Sequence, residues 1–214
     1  MSADQPTTRS VRISDDERGG WSSDRPRRDG GRPPRPADIS TRCRVLRPTD
    51  RMRYTPGSLV VVVCADPDER DRFVARVFEE RGAVFSLDKV LGLLAGRVEA
   101  DEAQAKANAL LDAAVRKRLE AGESVVVAVD GLDAGERERF VRMAHGLRRP
   151  RHLVLLEVPR DRVAEDDRAA LNELRKALDD GSVGQEGFQT ALRLGGNAIP
   201  ELKRIVFRPP PQDD

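Results

Sequence analysis

The chain has 214 residues, and 38 lysines and arginines stand against 37 aspartates and glutamates, a formal net charge of +1 in a sequence that is 35% charged. Near-neutrality excludes a whole-chain polycation that coats nucleic acid, and two cysteines with two histidines make neither a disulfide framework nor a zinc site at the usual spacings. No charged start runs into an apolar leader core, and no apolar run approaches the roughly 18 residues of a membrane span, so the sequence reads as soluble and cytoplasmic, with no membrane contact.

The first 57 residues hold 13 of the arginines, 8 carboxylates, no lysine and 7 of the 14 prolines. Stretches such as Arg25-Pro26-Arg27-Arg28 offer too little apolar surface to offset about 1–2 kcal/mol of backbone entropy per ordered residue. The expected organisation is a disordered Arg/Pro/Gly-rich tail over 1–57, a folded domain over 58–208 and a short tail over 209–214. Trp21 is the only tryptophan and offers an anchor for a protein partner. The mixed signs of the tail predict weak nucleic-acid binding at most, because the salt-dependent contribution scales with phosphates neutralised.

From Leu59 the pattern alternates between strand and helix. Leu59-Val60-Val61-Val62-Val63 predicts a strand buried on both faces of a parallel sheet. Phe73, Val74, Val77 and Phe78 then form a helical stripe, and Ala83-Val84-Phe85 is a short second strand. Residues 99–120 repeat apolar positions at three and four and stop at Gly122. Val125–Val129 is a third strand, followed by a helix over 134–147 and a fourth strand at Leu153–Val158, which Pro159 ends. A polar helical stretch carries Leu171, Leu174 and Leu178, a segment around Phe188 follows, and Ile205-Val206-Phe207 is the expected closing strand. Strands alternating with helices predict a three-layer α/β fold: a parallel sheet of about five strands with helices on both faces.

Function in such sheets gathers where strands end and helices begin. The first such turn is Cys64-Ala65-Asp66-Pro67-Asp68-Glu69-Arg70-Asp71. In frame it resembles the G-x-x-x-x-G-K-[ST] phosphate loop of P-loop kinases, particularly the polynucleotide-kinase branch. Cys64 and Glu69 take the places of the two glycines, Arg70 that of the lysine and Asp71 that of the Ser/Thr. Ser86-Leu87-Asp88 resembles the family's S-x-D, which implies Asp88 as the base acting on an acceptor hydroxyl. Ala128-Val129-Asp130-Gly131 stands where an acidic strand end is common, which implies Asp130 as a nucleotide-site carboxylate. Arg160, Arg162 and Arg168 follow the fourth strand as an arginine-bearing lid would. Glu186-Gly187-Phe188 resembles a late E-G-F element of some members, and the resemblance spans roughly 58–208.

The loop chemistry is nonetheless replaced. A working loop brings glycine N–H groups to the phosphates, its lysine bridges them and its hydroxyl holds Mg²⁺. Asp66-Pro67-Asp68-Glu69 instead predicts a helix start with Asp66 at the N-cap, Pro67 at N1 and Glu69 at N3. The expectation is a P-loop-kinase-like domain with a degenerate phosphate loop, catalytically inactive, holding neither cofactor nor metal, and serving as a binding or interaction module. The alternative is a divergent ATP- and Mg²⁺-dependent nucleotide or polynucleotide kinase. A third reading is a nucleic-acid-associated protein that uses its arginine-rich tail.

Overall fold

The structure, a computed structural model, describes residues 37–129 and 132–209. In chain order these form β1 (Arg44–Leu46), β2 (Arg51–Tyr54), β3 (Leu59–Cys64), α1 (Pro67–Val77), β4 (Val84–Ser86), α2 (Leu87–Leu94), α3 (Ala100–Glu120), β5 (Val125–Val129) and α4 (Ala134–Gly146). They continue with β6 (Arg151–Glu157), α5 (Asp167–Asp179), β7 (Thr190–Gly195), α6 (Ala198–Glu201) and β8 (Arg204–Phe207). Six strands make one sheet in the order β1-β7-β6-β3-β5-β4, and β2 and β8 form a separate two-stranded ribbon. Among the described residues every strand pair is parallel.

The continuous β-branched run explains the central position of β3. Val61 pairs with Val127 of β5 on one side and Leu153 of β6 on the other, and all six residues of β3 are buried. Each such side chain removed from water stabilises the fold by about 1.5–3 kcal/mol. The chain leaves β3 through α1 toward the β4 edge and returns through α2 and α3 to β5. Right-handed crossovers therefore put α1 on one face and α3 on the other, with α4 and α5 following α3. The face bearing α1 also carries the ribbon: Phe78 bridges to Ile205, and Arg76 donates to the carbonyls of Ile199 (2.7 Å) and Pro200 (3.4 Å). No helix among the described residues is long and apolar enough to cross a membrane.

Two expectations are corrected. The tail does not run to residue 57, because β1 pairs with β7 and β2 pairs with β8. The sequence Arg51-Met52-Arg53-Tyr54 alternates exposed arginines with buried Met52 and Tyr54, so the arginines that raise the local charge simply face water. The tail expectation for 1–36, including Trp21 and the Arg25–Arg35 stretch, lies outside the described residues, as does that for 210–214. The closing strand at Ile205–Phe207 exists, but it belongs to the ribbon. The main sheet is completed by β7, where Ala191, Leu192 and Leu194 are fully buried.

The Glu186-Gly187-Phe188 element is a clasp. Glu186 accepts two hydrogen bonds from the buried Arg137 of α4, at 2.9 Å from Nε and 2.7 Å from Nη2. Phe188 is fully buried. Gly187 sits at φ +97°, and a Cβ there would lie 2.8 Å from Val141 Cγ1 and 3.0 Å from the Ile39 carbonyl oxygen. Its left-handed backbone and crowding both call for glycine.

A buried polar cluster occupies the amino ends of the strands. His152 stacks on Tyr54 with ring centroids 4.3 Å apart, and its ring nitrogens lie 2.8 Å from Thr190 Oγ1 and 3.3 Å from Ser58 Oγ. Ser58 spends its proton on the Thr55 carbonyl (2.6 Å), so Nε2–H donates to Ser58 and Nδ1 accepts from Thr190. Burial, with the nearby Arg151 charge, pushes the imidazole down from 6.5 to about 4. The unfolded chain binds this proton and the folded one does not between those values, so stability should fall by up to ~3 kcal/mol as pH drops from 6.5 to about 4. Urea unfolding across that window should show the slope, and His152→Gln should flatten it.

Candidate functional site

The carboxyl ends of β3 and β6 form the topological switch point: the chain leaves β3 toward β4 and leaves β6 toward β7. Ligands of open α/β sheets bind in that crevice. Here one ion-pair group of the protein spans it, and a second lies on its β4 side.

The first group closes the start of α1. Asp66 is the N-cap, and its Oδ1 accepts from the Glu69 N–H at 3.0 Å. Its Oδ2 lies 2.5 Å from Nη2 of Arg162, which reaches across from the turn after β6. Glu69 takes Arg162 at 3.3 Å and Arg72 at 3.0 Å. The Glu69 N–H and then Arg162 hold the Asp66 carboxyl below the usual carboxylate range, and Asp66 in turn raises the Arg162 guanidinium. One of the free N–H groups at the helix start is thereby used, and Arg162 is neutralised.

The second group lies one turn further along. Arg70 is fully buried, and its guanidinium meets Asp71 Oδ1 at 2.9 Å and Asp88 Oδ2 at 3.4 Å. Asp88 lies in the first turn of α2, whose N-cap Ser86 accepts from the Lys89 N–H at 3.4 Å. Three residues singled out in the sequence are thus brought together across α1 and α2. Arg162 joins the neighbouring group.

Arg160 and Arg168 are elsewhere. With Arg175 and Asn172 they line a pocket of about 300 Å³ over the buried Val163 and Leu171. Arg175 is bound at 2.9 Å to Glu157, which also takes Arg193 at 2.8 Å. Despite its partial burial, the Glu157 carboxyl is held below its ordinary value by these two arginines. Sequence reasoning missed Arg175 and Asn172, although 168, 172 and 175 share one face of a helix by spacing. Asp130 lies outside the described residues.

Cys64 at the end of β3 is buried, and burial pushes its thiol up to about 11. It accepts from the Asp66 N–H at 3.4 Å and has the environment of an inert structural thiol. No group of three His, Cys, Asp or Glu side chains among the described residues is arranged to hold a metal ion.

The residues at the start of α1 do not fit a triphosphate with Mg²⁺. Asp66, Asp68, Glu69 and Asp71 crowd four carboxylates into the start of α1, and none of them offers a hydroxyl. Like charges 4 Å apart repel by about 4 kcal/mol at an effective dielectric near 20.

No family model and no curated protein matches the chain. Among solved structures it is similar to a protein of Chloroflexus aurantiacus J-10-fl, named provisionally as a kinase, at 10% identity over 69% of this chain and 90% of that one, with a TM-score of 0.39. The α/β fold therefore stands on the sheet itself: six parallel strands with helices on both faces.

Proposed function

We propose that the protein is a catalytically inactive relative of the P-loop kinases, kept as a binding or interaction module that needs neither nucleotide nor metal. The observation that carries the reading is the engagement of Arg70 on α1 and of Arg162 from the turn after β6 by Asp71, Asp88, Asp66 and Glu69. Such internal pairs position elements relative to one another. Here they tie α1 to α2 and to the turn after β6.

A divergent ATP-dependent kinase has one observation on its side. Asp88, the acceptor-side base implied by the resemblance, lies 3.4 Å from Arg70, which stands in the lysine's place. Thermal unfolding with ATP and Mg²⁺ separates the two. A ligand at a hundred times its dissociation constant adds about 2.7 kcal/mol, a rise of roughly 5–10 °C for a domain of this size. The inactive reading predicts no rise beyond that of a salt control. A rise that Arg70→Ala abolishes would establish the kinase reading instead.

A further inference from the structure

The β2–β8 ribbon turns one face toward α1 and the other to solvent. We infer that the solvent face docks the phosphate backbone of a nucleic-acid duplex, whether or not a nucleotide binds at the start of α1.

The parallel register pairs Arg51 with Arg204, Met52 with Ile205, Arg53 with Val206 and Tyr54 with Phe207. Alternation sends Met52, Tyr54, Ile205 and Phe207 inward. Met52, Tyr54 and Ile205 are buried there, and Phe207 stacks on Phe78 with ring centroids 6.2 Å apart. The opposite parity puts the exposed Arg51 and Arg53 on the outer face with Arg204 and the half-buried Val206. The Arg208 N–H donates to the Tyr54 carbonyl at 2.9 Å, which carries the ladder one step past β8. Its exposed side chain has the parity of Arg204 and Val206. Four arginines thus surround Val206 on strands about 4.8 Å apart, with Arg51 and Arg53 about 6.6 Å apart along β2.

Elsewhere the arginines are matched by carboxylates: Arg118 by Glu80 and Glu123, Arg162 by Asp66 and Glu69, Arg193 by Glu157 and Asp179. On this face Arg204 is so matched, by Glu79 at 2.8 Å. Among the described residues no carboxylate lies within ion-pair distance of Arg51, Arg53 or Arg208. Asp50 precedes β2, at the end of the ribbon remote from Arg208. Like charges side by side repel, and an external polyanion relieves them. Deterring edge-to-edge strand pairing needs charge of either sign, and four arginines on one face exceed that need. The near-neutral sequence hides the face because its two strands come from opposite ends of the chain.

The face selects its occupant. A duplex carries one negative charge per about 1.7 Å of axis, twice the density of a single strand. No aromatic side chain on this face would stack the bases of a single strand. A two-stranded ribbon also fits a major groove about 12 Å wide. A protein segment needs an apolar anchor, and Val206 is the one apolar side chain among these five outer positions.

Fluorescence anisotropy of the full chain with a labelled DNA duplex tests this between about 50 and 200 mM salt. Arg53→Gln with Arg208→Gln should reduce the slope of log affinity against log salt by about 2, and Arg53→Gln alone by about 1. Arg53→Lys with Arg208→Lys should keep the wild-type slope. All three variants should melt within about 2 °C of the wild type, because the side chains are exposed. Absence of duplex binding would overturn the proposal. So would a slope unchanged in the double glutamine variant, as binding through residues 1–36 would leave it. Displacement of the duplex by polyglutamate at a lower concentration of charge would overturn it in favour of an acidic protein partner.

Discussion

Gly184→Ala is expected to lower stability by about 3 kcal/mol, a fall of roughly 6–12 °C in melting temperature. A Cβ at this position would sit 2.1 Å from the Thr41 carbonyl oxygen and 2.9 Å from the Cys43 nitrogen, both backbone atoms with no rotamer to yield. The same contact includes the hydrogen bond from the Thr41 N–H to the Gly184 carbonyl, at 2.8 Å. The methyl group must therefore push residues 41–43 outward, and the edge strand β1 follows them away from β7. Ile39, which is buried against the same turn, would lose its seat. Loss of amide protection at Val45 and Leu46 before the rest of the sheet would locate the damage there. A melting temperature unchanged by the substitution would mean that the segment before β2 contributes little to the fold.

Arg70→Ala is expected to cost about 2–3 kcal/mol. Truncating a fully buried arginine leaves a cavity and strands Asp71 and Asp88 beside it. The cost stays below that of a wholly buried pair, because the two carboxylate side chains are 48% and 57% exposed and can rehydrate. Arg70→Met with Asp71→Asn and Asp88→Asn should recover most of the loss. A residue held for catalysis behaves oppositely, since removing it commonly leaves stability unchanged or raised. Urea midpoints of the three proteins distinguish the cases.

Local patterns were readable in the sequence where one segment determines its own structure. The Leu59–Val63 run is buried because it is apolar on both faces, and Asp66-Pro67-Asp68-Glu69 starts a helix by capping chemistry that needs no distant partner. Strands β1 and β2 were hidden because arginine and proline dominate their surroundings. The Met52/Tyr54 alternation was the local signal, too short to outweigh that composition. Strand β7 was hidden because Thr190, Arg193 and Gly195 interrupt its apolar run, though Ala191, Leu192 and Leu194 supply its buried positions. The site was legible as a set of residues and not as an arrangement. Arg162 and Glu69 are 93 positions apart, and only the sheet order brings the turn after β6 against the start of α1. Nothing local in Arg160-Asp161-Arg162 shows that Arg162 turns toward Asp66 and Glu69 while Arg160 lines another pocket.

In the function proposed above, the protein's own ion pairs occupy the place where a nucleotide's phosphates would bind. Isothermal titration calorimetry of the full chain with ATP and Mg²⁺ tests it most directly, run beside Arg162→Ala, which opens the crevice without touching the buried Arg70. No saturable heat is expected for the wild type. None is expected for Arg162→Ala either, because Asp66 still caps α1 and Glu69 still faces the crevice. Micromolar binding to the wild type, lost in Arg70→Ala, would contradict it.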